Sequence, residues 1–390
     1  MSVPPRIYLD YNATAPLDRR VLERMMPYLT DVYANASSFH RAGQEARHGI
    51  ERSREIIASE LGVEPGDILF TSGGTESDNL AIKGLVGPAR SPRNGLVISA
   101  VEHQAVLHPA QRLAAAGVPV RIVPCGRDGR VDPERLRQAV DETTLLVSLM
   151  HVNNETGVLQ PVREAARLAH ERGAIFHCDA VQSFGKLPLD PDAWDIDLLS
   201  MSAHKICGPK GAGALYVRKG IKLMAQQHGG HQEKNIRPGT ENVAAIVGFG
   251  EAVRLASAER AVERARVEGL RDRLLAGVRK GLQGMTLNGE SAERMYNVLN
   301  LTFDGIDGET LLMNLDLEGV CVSTGSACTA GSVEPSHVLL AMGLEASAAR
   351  STVRLSLGRF TTESDVDGAV RALGTVVPRL RSGATGGQRR

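Results

Sequence analysis

The residues best suited to chemistry in this chain stand where short apolar runs end. Lys205 closes Ser202-Ala203-His204-Lys205, directly after the run 198–202 and just before Gly208-Pro209-Lys210-Gly211. Burial and a neighbouring cation depress a lysine's pKa, which suits the amine to bond covalently to an aldehyde cofactor. An ordinary loop lysine is the plain alternative. Asp179 follows the run 174–178, with Gln182 one helical turn on. A carboxylate there can pair with a protonated pyridine nitrogen and strengthen the ring as an electron sink, although aspartates that merely cap helices are common. Ser72-Gly73-Gly74-Thr75-Glu76 joins a strand-like run to an amphipathic stretch. Glycines admit an anion to the backbone, and a helix N-terminus offers free N–H groups. A tight turn gives the same pattern, since Walker and dinucleotide spacings are absent.

His103 follows the run 96–101, and Asn153-Asn154-Glu155 follows 145–150. A histidine titrates near neutrality and can move protons, yet a lone one is more often a cap or a surface residue. Thr75, His103, Asn154, Asp179, His204 and Lys205 all fall after strand-like runs. Ligands of open α/β sheets gather at the carboxyl ends of strands, and packing alone does not explain this convergence. Arg354 interrupts the apolar Thr352-Val353-Arg354-Leu355-Ser356. It could clamp a substrate carboxylate through paired hydrogen bonds or form an internal salt bridge. Cys328 lies in Ser323-Thr324-Gly325-Ser326-Ala327-Cys328-Thr329-Ala330-Gly331-Ser332. Such small residues have little to bury, so a mobile loop is expected, and a thiol in it is poorly explained as core filling.

The elements that must position these groups follow from periodicity. Short apolar runs alternate with longer amphipathic ones, which calls for α/β architecture with a mostly parallel sheet. Strands are expected at 68–71, 96–99, 145–150, 174–178, 198–202 and 214–217, with helices at 75–85, 104–116 and 162–172. A long helical pattern over 246–282 is expected to contain the junction between two domains. Beyond Gly284, strands at 297–302 and 352–355 mix with helices at 309–317 and 362–375, as in a smaller α+β domain. The expected division is 15–257 for a large domain and 1–14 plus 258–378 for a small one carrying the Cys328 loop at about 323–335. The polar, basic 379–390 reads as a disordered tail.

Composition sets outer bounds. At 390 residues the chain is long enough for two cores. Lys plus Arg and Asp plus Glu stand at 45 each, so no global field attracts nucleic acid or an anionic membrane. The N-terminus lacks an apolar run of signal-peptide or membrane-span length, and a cytoplasmic protein is expected. Cys125, Cys178, Cys207, Cys321 and Cys328 show no C-x-x-C pair and read as reduced thiols. His228-Gly229-Gly230-His231 gives no rigid face and no third ligand, so no metal is expected.

Read in order, Tyr8-Leu9-Asp10-Tyr11-Asn12-Ala13-Thr14, Thr71-Ser72-Gly73-Gly74-Thr75-Glu76-Ser77, His151-Val152-Asn153-Asn154-Glu155, Asp179-Ala180-Val181-Gln182, Ser202-Ala203-His204-Lys205, Arg237-Pro238-Gly239-Thr240 and Gly325-Ser326-Ala327-Cys328 carry a resemblance. From residue 8 to about 377 the chain resembles the cysteine desulfurases of the nitrogen-fixation and iron–sulfur-cluster type. The resemblance implies the type I pyridoxal 5'-phosphate (PLP) fold: a large domain with a mostly parallel seven-stranded sheet, a small α+β domain, and a homodimer with active sites at the subunit interface. It implies that Lys205 carries PLP covalently and acts as base, that Asp179 holds the ring nitrogen, and that His103 stacks on the ring and assists proton transfer. Asn154 and Gln182 would contact the phenolic oxygen side. Gly74, Thr75, Ser202 and His204 would hold the phosphate, with Thr240 reaching in from the partner subunit. Arg354, with Asn154, would take the carboxylate of L-cysteine. Cys328 would be the nucleophile that accepts sulfur as a persulfide while alanine leaves. The long small-residue loop is similar to that of members with a flexible catalytic segment. Cys207 stands where an aromatic is common, and no role is assigned to it. The tail after Arg379 does not resemble the extension that contacts a cluster scaffold. The acceptor therefore stays open between such a scaffold, a tRNA-thiolation protein and a cofactor pathway. A selenocysteine lyase, a cysteine-sulfinate desulfinating enzyme, an aminotransferase or a non-catalytic scaffold on the same fold are the competing readings.

Overall fold

The computed structural model of the protein describes residues 6–86, 93–324 and 334–386. A short strand β1 (Ile7–Tyr8) leads into helices α1 (Arg19–Thr30) and α2 (Arg41–Leu61). The first layered unit then alternates β2 (Ile68–Thr71), α3 (Gly74–Leu85), β3 (Gly95–Ser99), α4 (Gln104–Ala115), β4 (Val120–Val123), α5 (Pro133–Ala139), β5 (Thr144–Ser148), α6 (Val162–Glu171), β6 (Ile175–Asp179), β7 (Leu198–Ser202) and β8 (Gly213–Val217). After α7 (Val243–Gly281) come β9 (Met285–Leu287), β10 (Val298–Phe303), α8 (Gly308–Leu317), β11 (Val320–Cys321), α9 (His337–Ala341), α10 (Ala346–Arg350), β12 (Thr352–Ser356) and α11 (Glu363–Gly386).

Seven strands make the main sheet in the order β2-β8-β7-β6-β5-β3-β4, and β8 runs antiparallel to both of its neighbours. The others pair in parallel. Every residue of β2, β3, β7 and β8 is buried, as continuous apolar strands must be when helices cover both faces. The carboxyl ends of β3, β5, β6 and β7 therefore open on one edge, where the polar residues that follow them collect. A second sheet, β12-β10-β9, is antiparallel, and β1 pairs with β11 in parallel.

Two apolar clusters sit on either side of this edge. One gathers the main sheet with α1, α2 and the first part of α7, from Ala245 to Ala256. The other joins Val267, Leu270 and Leu274 of α7 to β10, β12 and α11. Helix α7 is one unbroken element of 39 residues that serves both. Val338 and Leu339 of α9 pack on the first cluster, although their sequence position suggested the smaller unit.

Several boundaries differ from the sequence reading. Strand β5 ends at Ser148, so Leu149 and Met150 already belong to the turn, and Asp179 is the last residue of β6 rather than the residue after it. The tail expected from Arg379 onward is helical through Gly386, because α11 simply continues. Helices α1 and α2 lacked a legible signal: α2 is rich in Arg and Glu and buries a narrow stripe that includes Ala46, Ile50, Ile57 and Leu61.

Candidate active site

A cavity of about 320 Å³ opens at the carboxyl ends of the main sheet. Into it come Gly74 and Thr75 from the start of α3, His103 at the head of α4, Asn154 after β5, Asp179 with Gln182, then Ser202, His204 and Lys205 after β7. Arg354 of β12 closes the wall from the second sheet. Of the residues expected at the site, Thr240 lies exposed and does not line the cavity of its own chain. Cys328 lies outside the described residues.

Each group is fixed by its local structure. Lys205 sits in a 3₁₀ turn right after β7, and its Nζ donates to the carbonyls of Asn12 (2.5 Å) and Ala13 (2.8 Å). Asp179 accepts from the backbone N–H of Val181 at 2.9 Å. Burial pushes its carboxyl up to about 6, against the pull of that N–H and of the Lys205 charge. His103 caps α4, its Nδ1 accepting from Ala105 N at 3.1 Å. Burial first, then the Lys205 cation, push the His103 ring down to about 4, so it is neutral at physiological pH. His204 is likewise pushed down to about 3 by burial and by Lys205.

Of the two readings of Arg354, the internal salt bridge is present in the structure. One terminal nitrogen donates to Asp10 Oδ1 at 2.8 Å, the other to the carbonyl of Asn154 at 3.0 Å, and its buried Nε has no partner. Beside it, burial pushes Glu155 up to about 7 even though Ser336 Oγ donates to it at 2.5 Å. His337, next in the chain, lines the cavity and meets the Glu102 carbonyl at 2.9 Å. Cys207 is buried at φ 61°, and its thiol is pushed up to about 12 by burial, which makes it inert as a nucleophile.

The fold agrees with what comparison with known proteins finds. The aminotransferase class-V family model matches residues 7–368. The chain belongs to that family. A cysteine desulfurase IscS of Anaeromyxobacter sp. (strain Fw109-5) is 48% identical over 384 residues, covering 98% of this chain and 94% of the relative. Among solved structures, a NifS-like protein superposes with a TM-score of 0.90 at 36% identity, over 96% of this chain and 100% of the other. A structure described as SspA in complex with cysteine gives 0.80 at 36% identity, over 91% and 99%.

The cofactor of this family is PLP, and the cavity fits it on chemical grounds. Ser202 Oγ and Gln182 Oε1 are buried at the cavity without a hydrogen-bond partner, a state that costs free energy unless a ligand satisfies it. At the other pole a Cβ on Gly74 would lie 2.6 Å from Val181 Cγ2, so only glycine lets the first turn of α3 and the Asp179–Gln182 turn close on one ligand. That turn is anchored: Glu76 accepts from Ser72 N at 2.7 Å and from Arg237 Nε at 2.8 Å.

Sequence reasoning missed Asp10, Asn12, Asp78, Glu102 and His337. Asp10 and Asn12 were legible only as part of the N-terminal motif. The others carry no local signal, because what makes them notable is burial beside residues far along the chain.

Proposed function

We propose that the protein is a PLP-dependent cysteine desulfurase that removes sulfur from L-cysteine, releases L-alanine and leaves a persulfide on Cys328. The observation that carries this reading is the meeting of Lys205, Asp179 and His103 on the main sheet with Arg354 on the second, all around one cavity. When bound, the cofactor supplies an electron sink for charge developed at the substrate α-carbon. Lys205 would hold it and, once released, take the α-proton; Asp179 would pair with its ring nitrogen. Arg354 would hold the substrate carboxylate, with Asn154 beside it. Neutral His103 is ready to accept or return a proton. In the transfer itself the Cys328 thiolate attacks the substrate sulfur: the S–S bond forms and the substrate C–S bond breaks. The carbon keeps that electron pair and is protonated on the way to alanine, so carbon is reduced and sulfur oxidised.

A homodimer is part of the proposal. Thr240 would then serve the partner's cavity. Leu22, Met26 and Leu29 of α1, with Tyr33 and Phe39 at 84% and 98% exposure, give it an apolar surface to cover. Cytoplasmic location and delivery to a protein acceptor such as an iron–sulfur scaffold complete the reading. Among the described residues no helix is long and apolar enough to cross a membrane.

The test is direct. Purified protein should be yellow and should yield equal amounts of alanine and, with a reductant, sulfide from cysteine. Cys328→Ser should stay yellow yet show no added sulfur on the 328 peptide by mass spectrometry; undiminished desulfuration in that variant rejects the nucleophile assignment.

A further inference from the structure

Where α3 packs on the main sheet, the buried interface is polar in the middle. Asp78, one turn into α3, is 1% exposed and lines the cavity. Opposite it, His177 and Asp179 share one face of β6, because side chains two apart in a strand do. Register places His177 beside Ser148 of β5 and Asp179 beside Ser200 of β7. The His177 ring, wholly buried, meets Ser148 Oγ at 2.8 Å through Nδ1 and Ser200 Oγ at 3.0 Å through Nε2. One oxygen of Asp78 stands 3.6 Å from the same Nε2 and has no hydrogen-bond partner. Helix–sheet interfaces are ordinarily apolar, so a carboxylic acid, an imidazole and two serines in this one ask for a purpose.

We propose that Asp78 is a positioning residue: with His177, Ser148 and Ser200 it forms a neutral polar layer behind Asp179, and this layer keeps the anion of the site on Asp179, where the ring nitrogen of the cofactor would meet it. The proposal rests on the PLP reading above and adds a role that the reading does not require.

The charge count supports it. Asp78 on α3, Asp179 on β6 and Glu102 after β3 influence one another in one buried region, and like charges so placed do not all ionise. The nearby cation is Lys205, next to Asp179; His103 and His177 are held neutral by burial, and the Cys178 thiol behind them is pushed well up by burial. Asp179 has two stabilisers of its negative form, the Val181 N–H and Lys205. Asp78 has neither of them. Burial and the Asp179 charge raise it well above the usual carboxylate range, against the opposing pull of Ser200. A protonated Asp78 has an O–H to donate. Ser200 and Ser148 hydroxyls can each turn, so the layer can settle in whichever tautomer of His177 leaves Asp78 the proton.

The layer's role separates isosteric from deleting variants. The readout is the pH midpoint at which the visible absorbance of the resting, substrate-free holoenzyme changes, together with the PLP dissociation constant. D78N keeps a neutral donor of the same shape, so its midpoint should stay within about 0.3 unit of wild type and its affinity within about twofold, a small fraction of one tenfold step. D78A and H177F remove the layer's donor or its relay. Without these neutral dipoles beside it the buried Asp179 charge would be less well stabilised, so the cofactor ring would withdraw less and the Lys205 nitrogen that would hold it would keep its proton longer. The midpoint should rise by about one unit, and PLP should bind about tenfold more weakly. A shift of a unit or more in D78N would mean that Asp78 is charged in the holoenzyme and would overturn the inference. So would an unshifted D78A, or, where D78A does not fold, an unshifted H177F. Failure of wild type to bind PLP at all would instead sink the parent reading, so the two failures are told apart.

Discussion

At the scale of the residue, the site turns on how few of its charges are free. Arg354 is 2% exposed and already divided between Asp10 and the Asn154 carbonyl, with only its Nε unmet. On the proposed reading a substrate carboxylate would be received by a guanidinium that Asp10 orients, and the planar fork is what allows one group to serve several acceptors. Arg354→Lys keeps the charge but loses the fork. It should raise KM for cysteine about 100-fold, or roughly 2–3 kcal/mol, while the visible spectrum of the resting enzyme stays unchanged because Lys205 and Asp179 are untouched. A normal KM in steady-state kinetics would place carboxylate recognition elsewhere. The sequence showed that an arginine interrupts an apolar strand, and left clamp and salt bridge as alternatives. It could not show the salt bridge, since Asp10 lies 344 residues away and is brought to Arg354 by its own bridge to Ser356, together with the pairing of Ser323 with Arg354 and of β1 with β11.

At the scale of the element, strand ends do the positioning and buried carboxyls pin them. Glu102, after β3, accepts from Met150 N at 2.8 Å and from Ser99 Oγ at 2.6 Å, tying the exits of β3 and β5 together just below His103. Burial pushes its carboxyl up to about 8. The native state therefore holds a proton that the unfolded chain releases near the ordinary glutamate range. This contribution to stability is complete at low pH and drains away as pH rises toward 8. Glu102→Gln keeps the acceptor and removes the titration. Its stability relative to wild type, from urea unfolding of the holoenzyme, should improve by about 3 kcal/mol between pH 5 and pH 8; a pH-independent difference would refute a protonated Glu102. These strands were legible because β2, β3, β7 and β8 are continuous apolar runs with chemistry-bearing residues at their ends. Lys205 and His103 could be read for that reason, and Asp179 because it ends the short buried run of β6. Glu102 and Asp78 could not, because burial between elements, and not composition, raises their pKa. Helices α1 and α2 escaped because their stripes are narrow among many charges, and α2 announces its end only through Gly62 at φ 70°.

At the scale of the molecule, the cavity has one wall on each cluster, and α7 is the strut between them. Lys205 stands between Ala203 and Ile206 of the first cluster, whereas Arg354 lies between Val353 and Leu355 of the second. At 39 residues α7 spans about 58 Å. Near its middle a charge network locks it to both units: Arg359, after β12, reaches Asp18, Glu259 and Glu263, and Arg20 of α1 reaches Asp18 and Glu259. The separation between Lys205 and Arg354 should then depend on the helix staying straight. Ala258 is exposed in this stretch, so a substitution there removes no buried contact. Proline at 258 deletes the hydrogen bond to the Arg254 carbonyl and crowds it, costing about 3 kcal/mol and bending the helix. Glycine at 258 costs about 1 kcal/mol and leaves it straight. Ala258→Pro should remain yellow, since the Lys205 wall is intact, yet show a KM for cysteine about tenfold higher as the Arg354 wall swings. Ala258→Gly should match wild type in both. Equal KM values for the proline and glycine variants would mean that the contacts of Asn12 with Asn154, Gln182 and Asn297 hold the two walls in register without the helix.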